Sequence, residues 1–139
     1  MDAKATWHQR LSFTGTADSG FEVPLGVIKE QGGDDDGLRP MELLLIGLAG
    51  CTAMDAISIM QKKKQDVVDF EVLVHTRSAE EHPHVWEWVQ IEYVVTGRDI
   101  DPKAVERAMQ LSSEKYCPAQ NMLNKAVDIE LTYRIINAD

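Results

Sequence analysis

Two cysteines, Cys51 and Cys117, are the residues of this chain with the greatest potential for covalent chemistry. Cys51 lies in an apolar segment directly after Gly50, with Gly47 one helical turn earlier, and these glycines would let a small substrate approach the thiol closely. Cys117 comes directly before Pro118. The thiolate form of a cysteine is a nucleophile and can be oxidised reversibly. Residue chemistry alone nevertheless favours two inert core cysteines, so both interpretations stay open here.

The length and charge of the chain limit its partners. Its 139 residues fit a single domain, 1–139, which can bury about two thirds of the surface of the unfolded chain. The 14 basic and 23 acidic residues give a formal net charge of -9 at pH 7. This charge repels phosphate backbones and anionic lipid surfaces. We therefore expect neither a nucleic-acid partner nor a membrane partner.

The apolar segment 41–60 is long enough to raise the question of a membrane span. It contains Glu42 and Asp55, and three lysines follow it at 62–64. A carboxylate in hydrocarbon is costly, so the pattern favours a buried core helix. The first seven residues contain no apolar leader, and together with the low cysteine count this predicts a reducing, cytoplasmic location.

Short strands and a long helix should form the first half of the chain. Residues 7–14 and 21–28 are predicted to be two strands around a turn at 15–20. An acidic, glycine-rich segment follows at 31–37, which we interpret as a solvated loop. Pro40 then occupies a position typical of a first helical residue, and the helix should continue to about residue 64.

The residue pattern in the second half of the chain predicts a hairpin, a helix and a last strand. Residues 68–77 and 85–97 alternate between apolar and polar side chains, with Val68, Phe70, Val72 and Val74 on the expected core face of the first strand. Asp101 and Pro102 are typical of a helix start, and this helix should reach Cys117. Alternating residues from 127 to 135 predict the final strand. The fold class is therefore α+β, with a mostly antiparallel sheet around a long buried helix.

Three segments precede or surround the cysteines, at residues 39–45, 47–52 and 114–118. Together they resemble the OsmC/Ohr superfamily, the osmotically induced and organic-hydroperoxide-resistance proteins. Residues 58–69 and 95–99 are similar to its YhfA-like branch. The resemblance covers nearly the whole chain.

This resemblance implies an intertwined homodimer with active sites at the subunit interface. It also implies a thiol-dependent peroxidase that reduces organic hydroperoxides and, more weakly, hydrogen peroxide. On that template Cys51 is the peroxidatic residue and Cys117 the resolving one, with a small thiol or dithiol protein as reductant. No cofactor is implied. A metal site is not expected either, because no histidine has ligand spacing to the cysteines.

The peroxidase branches of the superfamily also use an arginine that holds the thiolate, oriented by a glutamate just after the helix-opening proline. In this chain Glu42 lies one place beyond that position, and Arg39 and Arg10 are the candidate arginines. On a straight helix Glu42 and Cys51 would lie on opposite faces, about 13 Å apart along the axis. Arg39 fits a solvent-facing residue at a helix start equally well.

Asp55 lies one helical turn after Cys51 on the same face. An ionised carboxylate there would raise the pKa of the thiol and make it less reactive. Asp55 could instead be a polar partner for a backbone or side chain in the dimer. Two functions therefore stay open. One is the peroxidase, and the other is a non-catalytic OsmC-like protein that responds to redox state or binds a small molecule.

Overall fold

A computed structural model describes all 139 residues and shows an α+β chain with two compact units, Met1–Ile46 and Gly47–Asp139. The strands are β1 (Ala3–Gln9), β2 (Ser12–Ala17), β3 (Glu22–Leu25), β4 (Asp66–Ser78), β5 (Trp86–Arg98) and β6 (Ile129–Asn137). The α-helices are α1 (Pro40–Lys62), α2 (Pro102–Leu111) and α3 (Pro118–Leu123). A 3-10 turn lies at Lys29–Gln31 and a π-helical turn at Ser112–Tyr116. That the chain is one domain, 1–139, stays a prediction.

The first unit contains a three-stranded antiparallel sheet in the order β1-β2-β3. The prediction of one strand over residues 7–14 is wrong, because the chain reverses at Arg10, whose φ of 42° lies in the left-handed region. The Trp7 Nε1 group supports this turn by donating a 2.8 Å hydrogen bond to the carbonyl oxygen of Arg10. The second turn is shorter than predicted, since residues up to Ala17 belong to β2 and Gly20, at a φ of 85°, completes the reversal.

Helix α1 begins at Pro40, as predicted, and ends at Lys62. Its buried residues recur at every fourth position, at Leu48, Thr52, Ala56 and Met60. Three of them, Leu48, Ala56 and Met60, join the hydrophobic core of the second unit. By length and composition α1 could span a membrane, but this packing makes it a core helix. It is less buried than predicted, since only 22% of its most apolar stretch is buried within the chain.

The second unit contains a three-stranded sheet in the order β4-β5-β6. The predicted hairpin is confirmed, with β4 and β5 antiparallel, while β6 pairs with β5 in parallel. A bulge in β4 between Val67 and Asp69 changes which residues face the core. Val67 packs against the core and Val68 is exposed, contrary to the predicted alternation.

Helix α2 carries the chain toward the second cysteine. Asp101 is its N-cap, as predicted, and accepts a 3.0 Å hydrogen bond from the Lys103 backbone N–H. The α-helical pattern ends at Leu111 and widens into the π-helical turn Ser112–Tyr116, directly before Cys117. π-Helical turns are frequent at functional sites because they displace one residue from regular helix geometry.

Candidate functional site

Cys51 and Cys117 lie in contact within the second unit. The Cys117 thiol donates to the Cys51 sulfur, with 3.1 Å between the two Sγ atoms, and both cysteines are free. Cys51 comes from the middle of α1, and Cys117 is the N-cap residue of α3. The sequence could not place the two residues together, because only the packing of α1 against the turn before α3 does so.

Cys117 is the more enclosed of the two thiols. It has no exposed surface, whereas Cys51 is half-buried. The Gln120 backbone N–H donates to Cys117 Sγ at 3.4 Å, and the Thr52 hydroxyl lies 3.7 Å from the same sulfur. The Cys117 N–H donates in turn to the Ser112 carbonyl oxygen at 2.8 Å. These contacts hold Cys117 in place, so Cys51 is the thiol that a molecule from solvent can reach.

The environment of Cys51 favours the neutral thiol. Burial is the main reason that the pKa of Cys51 is raised above its ordinary value, and a backbone hydrogen bond from Ala119 opposes this shift. Cys117 and Asp55 raise the pKa further. Every ionisable group that acts on this thiol is therefore acidic, and no cationic side chain of the second unit stabilises its thiolate.

Asp55 lies beside Cys51, as the one-turn spacing predicts, and it also lies beside Cys117. The ligand atoms of Cys51, Asp55 and Cys117 all lie within 4.8 Å of one another. The Ser112 hydroxyl donates a 3.2 Å hydrogen bond to Asp55 Oδ2. Asp55 therefore contributes to the raised pKa of the Cys51 thiol, as the first interpretation expects, and its partner Ser112 belongs to the same chain. A role of Asp55 in a dimer stays a prediction.

Arg39 and Glu42 pair with each other. Glu42 Oε1 accepts a 2.9 Å hydrogen bond from the Arg39 backbone N–H and lies 3.2 Å from Arg39 Nη1, which lowers the pKa of Glu42. Both side chains are exposed, so this contact closes the start of α1, as the solvent-facing interpretation of Arg39 expects. Arg10 pairs with Asp34. A role of Glu42, Arg39 or Arg10 toward Cys51 stays a prediction.

Four further residues surround the thiols, and sequence reasoning did not assign them: Thr52, Ser112, Gln120 and Tyr93. Gln120 Nε2 donates a 2.9 Å hydrogen bond to Thr52 Oγ1, and both residues are buried. Burial raises the pKa of Tyr93 to about 12, while the Gln120 and Ser112 side chains partly oppose this. Only Thr52 carried a local signal, its place directly after Cys51.

A cavity of about 460 Å³ opens beside the site. Asp55 connects the two, because it belongs to the thiol cluster and also lines the cavity. The other lining residues are Ser58, Ile59, Lys62, Lys63, Leu111 and Tyr116. The cavity therefore meets the cluster at Asp55, and its walls are both apolar and cationic.

Comparisons with known proteins give a consistent match. The family described as OsmC-like protein matches residues 33–132. Protein YhfA of Escherichia coli K12 is 39% identical over 138 residues, which cover 99% of this chain and 100% of the relative. A crystal structure of a hypothetical protein from Aquifex aeolicus VF5 is 28% identical with a TM-score of 0.86, covering 99% and 97% of the two chains. The structure of an organic hydroperoxide resistance protein OsmC from Legionella pneumophila is 18% identical with a TM-score of 0.68, covering 95% and 94%, and shares the fold.

Proposed function

The chain belongs to the OsmC-like family, and from that premise we propose that it is a thiol-dependent peroxidase of organic hydroperoxides. The observation that carries this proposal is the 3.1 Å contact between the free thiols of Cys51 and Cys117. A member of the same fold group from Legionella pneumophila is described as an organic hydroperoxide resistance protein. Hydrogen peroxide would be a weaker substrate.

The proposed reaction has three balanced steps. The Cys51 thiolate attacks one peroxide oxygen, the O–O bond breaks, and the alkoxide leaves as an alcohol after taking up the proton that Cys51 released. Cys51 is then a sulfenic acid. The Cys117 thiol attacks its sulfur, which forms a disulfide and releases water. A small thiol or dithiol reductant finally supplies two electrons and two protons to restore both thiols.

The assignment of roles follows from exposure and contacts. Attack requires access to the peroxide, and Cys51 is the half-buried thiol. Resolution requires only that the second sulfur lie next to the first, and the fully buried Cys117 meets this condition. The cavity beside Asp55 offers the route for the hydroperoxide, whose organic group would lie against Ile59 and Leu111.

Disulfide formation tests the proposal most directly. The protein is reduced under anaerobic conditions, treated with cumene hydroperoxide and digested for mass spectrometry. We expect one Cys51–Cys117 disulfide per chain and one equivalent of alcohol. If the alcohol forms only at the rate without protein, and neither sulfur is oxidised, the proposal is wrong.

A specific observation favours the second candidate function, a non-catalytic OsmC-like protein that responds to redox state or binds a small molecule. The pKa of Cys51 is raised, and the charged neighbour that contributes to this is the acidic Asp55. A thiol of this kind reacts slowly near neutral pH. Consumption of cumene hydroperoxide with a dithiol reductant present separates the candidates, because only the peroxidase sustains many turnovers per chain.

The raised pKa of Cys51 gives a pH prediction. Only the thiolate reacts, so alkylation of Cys51 should accelerate as pH rises toward its raised pKa. Asp55→Asn removes a negative charge and keeps an acceptor for Ser112, so it should lower this pKa and speed alkylation a few-fold at neutral pH. Iodoacetamide labelling against pH, read at Cys51 by mass spectrometry, measures the effect. Asp128→Asn, an exposed carboxylate outside the cluster, is the control, and an unchanged pKa in Asp55→Asn contradicts the prediction.

We further propose a homodimer, because α1 leaves apolar side chains uncovered. Those exposed by 48% to 74% are Met41, Leu44, Ile46 and Met54. Sedimentation at micromolar concentration should give twice the chain mass of 15.6 kDa.

Met54→Glu should shift the protein toward monomer, because it would bury a charge in the interface. Met122→Glu is a matched control, since Met122 is also 74% exposed but lies on α3. A stable, well-folded wild-type monomer would refute the homodimer.

A further inference from the structure

The thiol cluster has the composition of a metal site. We propose that Cys51, Asp55 and Cys117 together bind one thiophilic divalent cation of the zinc class, Zn²⁺ or Cd²⁺, in the reduced protein. The sequence predicts no such site, because no histidine has ligand spacing to the cysteines. The fold instead supplies a carboxylate, Asp55, whose oxygen lies within 4.8 Å of both sulfurs.

The separations of these atoms are close to those that a tetrahedral cation requires. Zinc binds cysteine sulfur at about 2.3 Å and carboxylate oxygen at about 2.0–2.2 Å, so its ligand atoms lie about 3.6–3.8 Å apart. The sulfurs are now 3.1 Å apart and would separate by a few tenths of an ångström. Rotation of the half-buried Cys51 side chain can provide this movement while Cys117 keeps its contacts.

The charges of the cluster also favour a cation. Within the second unit, the hydrogen-bond partner of the Asp55 carboxylate is the neutral Ser112 hydroxyl. Lys62 and Lys63 line the same cavity, but neither lysine belongs to an ion pair. A bound divalent cation would neutralise most of the charge of two thiolates and a carboxylate in this partly buried place.

An independent observation is the Tyr93 hydroxyl. Tyr93 is 1% exposed, and its hydroxyl oxygen has no hydrogen-bond partner within 3.5 Å, although the Gln120 and Ser112 side chains lie near enough to lower its pKa. Cys117 and Asp55 are the ionisable groups that act on it. Buried polar atoms are normally satisfied, so an orphaned hydroxyl beside the cluster indicates a place for one more polar species. A water molecule in the fourth coordination position of the cation would supply the missing hydrogen bond.

The cavity and the exposure of Cys51 provide a path for a cation. The cation would enter on the side of Asp55, which lines the cavity of about 460 Å³, and of the half-buried Cys51, while the buried Cys117 lies farthest from solvent. Each thiol releases its proton to solvent when it binds, and no electron is transferred. Since the cation then occupies both sulfurs, the loaded protein should resist oxidation by peroxide. The inference does not depend on the proposed peroxidase activity, because binding is measured without peroxide.

Cadmium titration of the reduced, chelator-treated protein tests this site. We expect a thiolate-to-cadmium charge-transfer band that saturates at one cation per chain, with both thiols protected from a disulfide reagent. Zn²⁺ should compete for the same site, and a strong chelator should reverse both effects. Asp55→Asn should weaken cadmium binding by about tenfold or more. Asp128→Asn should bind as the wild type does.

Each result of the cadmium titration either supports the metal site or overturns it. Loss of the band in Cys51→Ala, in a protein that circular dichroism shows to be folded, supports the site. Absence of a band in the wild type overturns the proposal. Binding of Asp55→Asn with wild-type affinity also overturns it, since it removes Asp55 as a ligand. A peroxidase that turns over but binds no cadmium would refute the metal site while leaving the proposed function intact.

Discussion

Replacing Cys51 with serine is expected to abolish peroxide consumption. The serine hydroxyl has a far higher pKa than a thiol and cannot take over attack on the O–O bond. Because the nucleophile is lost rather than weakened, the rate should fall by on the order of 10³ or more, to the level without protein. Consumption of cumene hydroperoxide in the presence of a dithiol reductant measures this loss.

A matched control checks that the effect is chemical. Ser113→Ala changes a nearby hydroxyl that donates to the Gln110 carbonyl oxygen and contacts neither sulfur, so it should keep wild-type turnover. Dimedone labelling after one equivalent of peroxide adds a second readout. If the label were found on Cys117 in Cys51→Ser, the roles of the two cysteines would be reversed.

Cys117→Ser should give a different defect, one turnover followed by arrest. Cys51 can still attack the first peroxide, but the sulfenic acid then lacks the sulfur that lies 3.1 Å away in the wild type. We expect one equivalent of peroxide to be consumed per chain before consumption stops. Dimedone should label Cys51, and excess peroxide should convert it to sulfinic acid.

The fold should tolerate this second substitution. A serine at position 117 can accept hydrogen bonds from the Gln120 N–H and the Thr52 hydroxyl, which now face the Cys117 sulfur. A far-ultraviolet spectrum and a melting curve close to wild type would separate a lost resolving thiol from a damaged core. Multiple turnovers by Cys117→Ser without added thiol would exclude resolution by Cys117.

Local signals in the sequence determined the long elements of the second unit and the start of α1. Pro40 marks the first turn of α1, and Asp101 caps α2, because both act on backbone groups within a few residues. The alternation in β4 and β5 predicted their pairing, because period two places one set of side chains on one face. The sequence also predicts Asp55 beside Cys51, because residues one helical turn apart lie on the same face, and the structure places them there.

The tertiary structure decided the details that depend on residues far apart in the chain. The reversal at Arg10 requires a left-handed backbone that its residue type does not predict, and the bulge beside Val68 arises from register with β5. The residues around the thiols also depend on contacts between distant parts of the chain. Thr52, Ser112, Gln120 and Tyr93 come from separate elements, and only packing brings them to the thiols. Cys51 and Cys117 are 66 positions apart in the chain, so their contact exists because the hydrophobic core holds α1 against the turn before α3.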